Sequence, residues 1–254
     1  MQTRSDSNRR TFLRAASSSV LVAGALTKTG SGAANDRLTV GLVGCGGRGM
    51  HDVQLFKNNP NVEIAYVCDA DASRLASAAK ALNIPAARAV GDMRKLLDDK
   101  SLDIVLVTTP DHWHSPASIL ACEAGKHVYV EKPISHTVDE GKAMVKAARE
   151  GDREVVVGLH RRVSPHCISG MEFLKSGKVG KIGMVRLFAH AAGGPGEKTP
   201  DSEPPPGMDW DLWLGPAPKR AFNKAIHPKG FRHFLDYANG TLGDWGVHWF
   251  DQLF

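Results

Sequence analysis

Short apolar runs alternate along this chain with stretches of helical period, and that alternation predicts its architecture. Residues 38–43 read as a strand, followed by a helix from about Arg48 to Lys57. Residues 61–69 form a second strand that ends in an acid, Asp69. Ala72–Leu82 is alanine-rich with helical period and is closed by Asn83-Ile-Pro85. A brief strand is expected over 87–90 and a short helix over 92–98. Residues 102–109 are a continuous apolar run ending in hydroxyls, the pattern of a parallel strand covered on both faces. A turn at 110–114 leads to a helix over 115–124 and a strand over 126–131. An amphipathic helix follows over 137–150, with Val138, Gly141, Val145 and Ala148 on one face, and then a sixth strand over 154–159. Strands and helices alternating at this spacing predict a doubly wound parallel sheet with right-handed crossovers.

The pattern changes after His160. A helix is expected over 164–175, and residues 181–190 alternate like a strand in their second half. Residues 191–218 are rich in Pro and Gly and read as a long loop carrying Trp210 and Trp213. Residues 241–254 read as a final helix.

The first 34 residues stand apart. Asn8-Arg9-Arg10-Thr11-Phe12-Leu13-Arg14 places paired arginines before an apolar pair, and Ser31-Gly-Ala33-Ala34 offers small residues for cleavage. The weakly apolar stretch between them is too short and too serine-rich to span a bilayer. The arrangement resembles a twin-arginine (Tat) export signal, with a disordered basic N-terminus as the alternative. The expected organisation is a signal peptide over 1–34, a nucleotide-binding domain over 35–160 and an incomplete second α/β domain over 161–254.

Charge supports this division. The formal net charge is +5. Five basic residues stand against Asp6 within 1–34, so four of the five charges belong to the tail. A nucleic-acid partner is therefore not expected. The four cysteines, Cys45, Cys68, Cys122 and Cys167, show no C-x-x-C spacing and are expected to be free and mostly buried.

Candidate chemistry gathers where strands end. The turn Gly44-Cys45-Gly46-Gly47-Arg48-Gly49 contains G-x-G-x-x-G between a strand and a helix. The first glycine would make the tight turn, the second would let backbone N–H groups approach a pyrophosphate, and the third would let helix and strand pack closely. Asp69, twenty residues past Gly49, is placed to accept hydrogen bonds from a ribose and to repel a 2′-phosphate, which favours NAD over NADP. Capping the next helix is its bland alternative. Lys132, held by Pro133, could move a proton or polarise a substrate oxygen, or merely pair with Glu131. Asp244 and His248 are four apart on an expected helix, so a carboxylate could orient an imidazole there. His112, His114 and His248 fit no zinc spacing, so no metal is expected.

These residues resemble the glucose–fructose oxidoreductase, inositol dehydrogenase and rhizopine-catabolism (Gfo/Idh/MocA) family. The matching pieces are the glycine turn, Thr109-Pro-Asp-His-Trp-His114, Glu131-Lys-Pro133 and Gly243-Asp-Trp-Gly-Val-His248. Trp210-Asp-Leu-Trp-Leu-Gly-Pro216 resembles the exported branch. The resemblance implies a Rossmann domain followed by an α/β domain whose open sheet covers the nicotinamide and often mediates oligomers. It implies a catalytic Lys132 with an Asp244/His248 pair, the His taking a hydroxyl proton as hydride leaves the same carbon. Thr109, Pro110, His114, Glu131 and Arg161 fall on its cofactor-cleft positions. The implied activity is NAD-dependent oxidation of a sugar or polyol hydroxyl. NAD-dependent glycoside cleavage through transient oxidation and non-catalytic dinucleotide binding are the alternatives. The family's second domain continues well past the Asp-x-x-x-His segment, so the chain is expected to lack most of that covering sheet and to be poorly stable or inactive alone.

Overall fold

A computed structural model of the chain describes residues 37–188 and 198–253; the twin-arginine segment lies outside them. The first half is a parallel sheet of β1 (Leu38–Val43), β2 (Val62–Cys68), β3 (Ala89–Val90), β4 (Ile104–Val107), β5 (His127–Val130) and β6 (Val155–Val157). The strand order is β3-β2-β1-β4-β5-β6, with every pairing parallel. The order reverses between β1 and β4, which opens a crevice at their carboxyl ends.

Five helices cover the sheet: α1 (Gly47–Lys57), α2 (Ala72–Leu82), α3 (Arg94–Leu97), α4 (His114–Glu123) and α5 (Val138–Glu150). Successive residues of β4 face opposite sides. Ile104 and Leu106 pack in a core with Val53, Ala78 and Leu82 of α1 and α2. Val105 and Val107 pack in a second core with Ala117, Ala121 and Met144 of α4 and α5. The continuous apolar run seen in the sequence is this burial on both faces.

Helix α5 begins with a capping box, in which Thr137 accepts from the Glu140 N–H and Glu140 accepts from the Thr137 N–H. Its buried face is not the one expected. Met144 is the buried residue, backed by Ala147 and Ala148, while Val138 is 75% exposed and Val145 lies at the surface. Val145 follows Met144 by one position, about 100° around the helix, and that rotation decides which face meets the sheet.

After β6, helix α6 (Pro165–Lys175) forms with proline in its first turn. Residues 181–188 form no strand, contrary to the expected alternation, and Ile182, Met184, Val185, Leu187 and Phe188 are exposed. No neighbouring strand is present among the described residues to pair with them. The expected loop carrying the two tryptophans is also different. Helix α7 (Trp210–Leu214) forms there and buries both rings, stacked 4.6 Å apart. With Met208, Phe222, Ile226, Phe231 and Tyr237 they make a third core.

This aromatic shoulder, residues 198–240, docks on the carboxyl end of the sheet. Met208 bridges to Asp71, and the Asp209 N–H donates to the Ala70 carbonyl at 2.9 Å. The Trp213 carbonyl accepts from both His112 Nε2 and Trp113 Nε1 at 3.0 Å. The chain ends with a π turn over Leu242–Gly246 followed by α8 (Val247–Phe250). All four cysteines are free thiols, three of them buried.

Candidate active site

A cleft of about 580 Å³ lies along the carboxyl ends of the strands, between the sheet and the aromatic shoulder. Gly44, Gly46, Gly47, Arg48, Asp69, Thr109, Pro110, His114, Glu131, Lys132 and Asp244 line it on one side. Leu212, Trp213 and 227–232 supply much of the other. A loop-rich segment thus provides that outer wall among the described residues.

The glycine turn has the backbone its residues require. Gly44 has a φ of +95°, and a Cβ there would lie 2.8 Å from the Thr108 backbone. A Cβ on Gly49 would lie 2.0 Å from the Gly44 carbonyl oxygen, so only glycine lets α1 start this close to β1. Thr108 Oγ1 lies 2.7 Å from that same carbonyl and ties the turn to β4. No acid occupies the first turn of α1 and no side chain caps it, so its leading N–H groups remain available to an anion.

Asp69 is buried beside this turn. Its carboxylate accepts from the Cys45 N–H at 2.7 Å and the Asp71 N–H at 2.9 Å. Burial pushes its pKa up against these hydrogen bonds. The helix-capping alternative belongs to Asp71, which accepts from the Ser73 and Arg74 N–H groups. Asp69 therefore keeps acceptor capacity toward the cleft. Cys45 turns its thiol inward, where burial raises its pKa.

The residues present fit a dinucleotide. A glycine cradle that any Cβ would fill, an uncapped helix N-terminus and an acceptor at the end of β2 occur in one cleft. Arg48 lines that cleft but is engaged elsewhere. Its Nη2 donates to Glu131 Oε1 at 2.8 Å, and its Nε lies 3.1 Å from Asp52 Oδ2, a charge contact without hydrogen-bond alignment. Burial, then the neighbouring Glu131 carboxylate, pushes Asp52 up to about 7.

At the other end, Lys132 Nζ donates to the Asp244 carbonyl at 2.8 Å and to Asp244 Oδ1. Arg232 Nε lies 3.5 Å from Asp244 Oδ2. Asp244 therefore serves two cations rather than His248, because a half-buried carboxylate gains more from positive charge than from a neutral ring. The π turn that carries Asp244 is a local departure of the kind often found at functional sites. His248 is buried, and burial followed by the Lys132 charge lowers its pKa to about 4. Its ring packs 4.6 Å from His160, and its Nδ1 has no partner. His160, not His248, lines the cleft.

Two further expectations shift. Arg161 is not at the cleft; its guanidinium lies 4.0 Å from the Trp249 ring. His114 lines the cleft but both ring nitrogens face backbone carbonyls, Nδ1 to Pro133 at 2.6 Å and Nε2 to Thr109 at 2.9 Å. Its ring lies between two strand-end loops instead of offering a free donor. Among the described residues, no group of three or more His, Cys, Asp or Glu could hold a metal ion. No helix among them is long and apolar enough to cross a membrane.

Arg74, Asp111, His160, Lys229 and Arg232 also lie at the cleft, His160 in the strand-end stretch 160–161 that the sequence marks after the sixth strand. Asp111 was legible, since it stands inside the strand-end motif 109–114; it is buried, and burial raises its pKa. Lys229 and Arg232 carried no signal, because only the docking of the shoulder brings them here.

Comparison with known proteins settles the family. Residues 38–159 match the Gfo/Idh/MocA oxidoreductase family, NAD-binding Rossmann fold, and residues 191–254 match that family's C-terminal α/β domain. The chain belongs to this family. Among its relatives, inositol 2-dehydrogenase 2 of Saccharopolyspora erythraea is 32% identical over 65% of this chain and 48% of its own length. Glycosyl hydrolase family 109 protein 2 of Shewanella sp. (strain ANA-3) is 37% identical over 48% of this chain and 28% of its own. An NAD-binding protein from Listeria innocua superposes with a TM-score of 0.64 at 27% identity, covering 85% of this chain and 54% of that one. The chain spans at most about half the length of the curated relatives it matches.

Proposed function

We propose that this chain carries the cofactor site and catalytic face of an exported, NAD-dependent dehydrogenase acting on a hydroxyl of a sugar or polyol. The observation that carries the reading is the meeting of Lys132, from the end of β5, with Asp244 at the same cleft as the glycine turn. Gly44, Gly46, Gly47 and the first N–H groups of α1 would hold the pyrophosphate, and Asp69 the adenosine ribose. NAD bound there would supply the hydride acceptor. Lys132, bonded to Asp244, polarises the substrate oxygen. The family resemblance assigns the hydroxyl proton to His248, whose ring packs against that of the cleft-lining His160. Glu131 and Asp52 hold Arg48, which keeps the start of α1 in place. Inositol 2-dehydrogenase 2 among the relatives supports a polyol or sugar substrate.

Replacing Lys132 with Met tests the assignment. Turnover of sugar or polyol substrates is expected to be lost while NAD still binds; turnover that survives removes Lys132 from the mechanism. The 37% identity to a glycosyl hydrolase family 109 protein favours a second reading, redox-neutral glycoside cleavage. Product analysis separates the two, because cleavage returns an unoxidised sugar and no net NADH.

Export rests on Asn8-Arg9-Arg10-Thr11-Phe12-Leu13. An Arg9→Lys/Arg10→Lys chain is expected to stay in the cytoplasm, with fractionation as the readout. Exposed Phe173, Met184 and Phe188 support self-association, which light scattering on the full-length protein checks.

A further inference from the structure

Cationic side chains at the cleft are Arg48, Arg74, Arg94, Lys132, Lys229 and Arg232. All but Lys229 meet a carboxylate. Arg48 is on Glu131 and Asp52, Arg74 on Asp71, Arg94 on Asp92, and both Lys132 and Arg232 on Asp244. Lys229 lines the cleft without a carboxylate partner among the described residues.

Its position along the shoulder says what that charge meets. His227 lies in the field of Arg74 and Asp71, two residues past Asp69, so it marks the ribose end. Arg232 lies on Asp244 and marks the Lys132 end. Arg232 Nη1 also lies 3.4 Å from the Lys229 carbonyl. Residues 227–232 thus run the length of the cleft with Lys229 between its two ends. An extended dinucleotide with its ribose at Asp69 and its reactive ring at Lys132 has its pyrophosphate at that middle point, opposite the glycine turn. The turn supplies N–H donors but no full positive charge, since Arg48 is already paired.

We propose that Lys229 is the shoulder's contact with the dinucleotide pyrophosphate, so that the nucleotide is held between the glycine turn and residues 227–232. The proposal rests on the NAD reading above and adds to it a second, charged side of the phosphate site. A two-sided grip slows release as well as strengthening binding.

The test is calorimetric titration of the 254-residue chain and its Lys229→Met and Lys229→Arg variants with NAD and with adenosine, at low and high salt. Lys229→Met is expected to weaken NAD about tenfold at low salt, with a smaller loss at high salt. Adenosine, which lacks phosphates, should bind the variant and the parent equally. Lys229→Arg should stay within about threefold of the parent for NAD. The melting temperature of the nucleotide-free variants should match the parent, as expected for an exposed side chain. If the parent binds NAD and Lys229→Met binds it equally well, or if adenosine weakens in step with NAD, the assignment of Lys229 fails while the NAD reading stands. If the parent itself does not bind NAD, the reading of the cleft fails first.

Discussion

Lys132 and Asp244 stand 112 residues apart in the chain, yet the Lys132 ammonium donates to both the carboxylate and the backbone carbonyl of Asp244. Their side chains are only 16% and 20% exposed. The contact joins the end of the sheet to the π turn that precedes α8. Removing Asp244 would leave Lys132 and Arg232 facing each other without compensation. Asp244→Ala is expected to lower unfolding stability by about 2 kcal/mol, less than for a fully buried pair because water still reaches the site. In the double variant Lys132→Met/Asp244→Ala the two losses should be less than additive, measured by urea denaturation.

Gly49 limits how closely α1 can approach β1. A methyl group there would sit 2.0 Å from the Gly44 carbonyl oxygen and 2.5 Å from Thr108 Oγ1. The backbone would have to move. Gly49→Ala is expected to cost about 2 kcal/mol and to abolish measurable NAD binding. Thermal melting and calorimetry read the two effects separately, and unchanged NAD affinity would contradict the close-packing account.

His112 gives stability a defined pH dependence. Its Nε2 donates to the Trp213 carbonyl while Nδ1 has no partner, and burial lowers its pKa to about 4 from an ordinary 6.5. The folded chain therefore holds the neutral ring where the unfolded chain would hold the cation. This contribution is fully present above pH 6.5 and is lost as pH falls toward 4. His227 and His248 act in the same direction, and Asp52, raised to about 7, acts in the opposite one. Comparing variants isolates His112. Between pH 7 and pH 5, His112→Asn should lose about 2 kcal/mol less stability than the parent.

Asp69 sets nucleotide choice through charge as well as hydrogen bonding. Asp69→Ser should weaken NAD about tenfold and narrow the preference over NADP, because the repulsion toward a 2′-phosphate is gone. Part of the NAD loss would come from releasing the Cys45 N–H that Asp69 now holds at 2.7 Å. Fluorescence titration with both nucleotides gives the ratio, and an unchanged ratio would count against Asp69 as the selector.

The sheet was legible in the sequence because strands covered on both faces must be apolar throughout. Residues 102–109 announced β4 in that way, and Ala72–Leu82 was bounded by its own composition. Loss of legibility began where contacts replaced period. The face of α5 was misjudged by one position, since Met144 and Val145 are both apolar and only the sheet chooses between them. The shoulder core of Trp210, Trp213, Phe231 and Tyr237 has no repeat, so its residues looked like loop. Asp244 and His248 share a spacing that suggested partnership, but the partner of Asp244 came from a distant strand. The same limit hid Lys229 and Arg232, whose place at the cleft exists only after docking.

One imidazole stands between two loops on the sheet side of the cleft. His114 spans from the loop after β4 to the loop after β5, with Thr109 and Pro133 at its two nitrogens. A rigid ring of fixed diameter acts there as a spacer gauge. Those two loops cannot part without releasing a buried contact. The sheet-side floor of the cleft is thus built before any guest arrives.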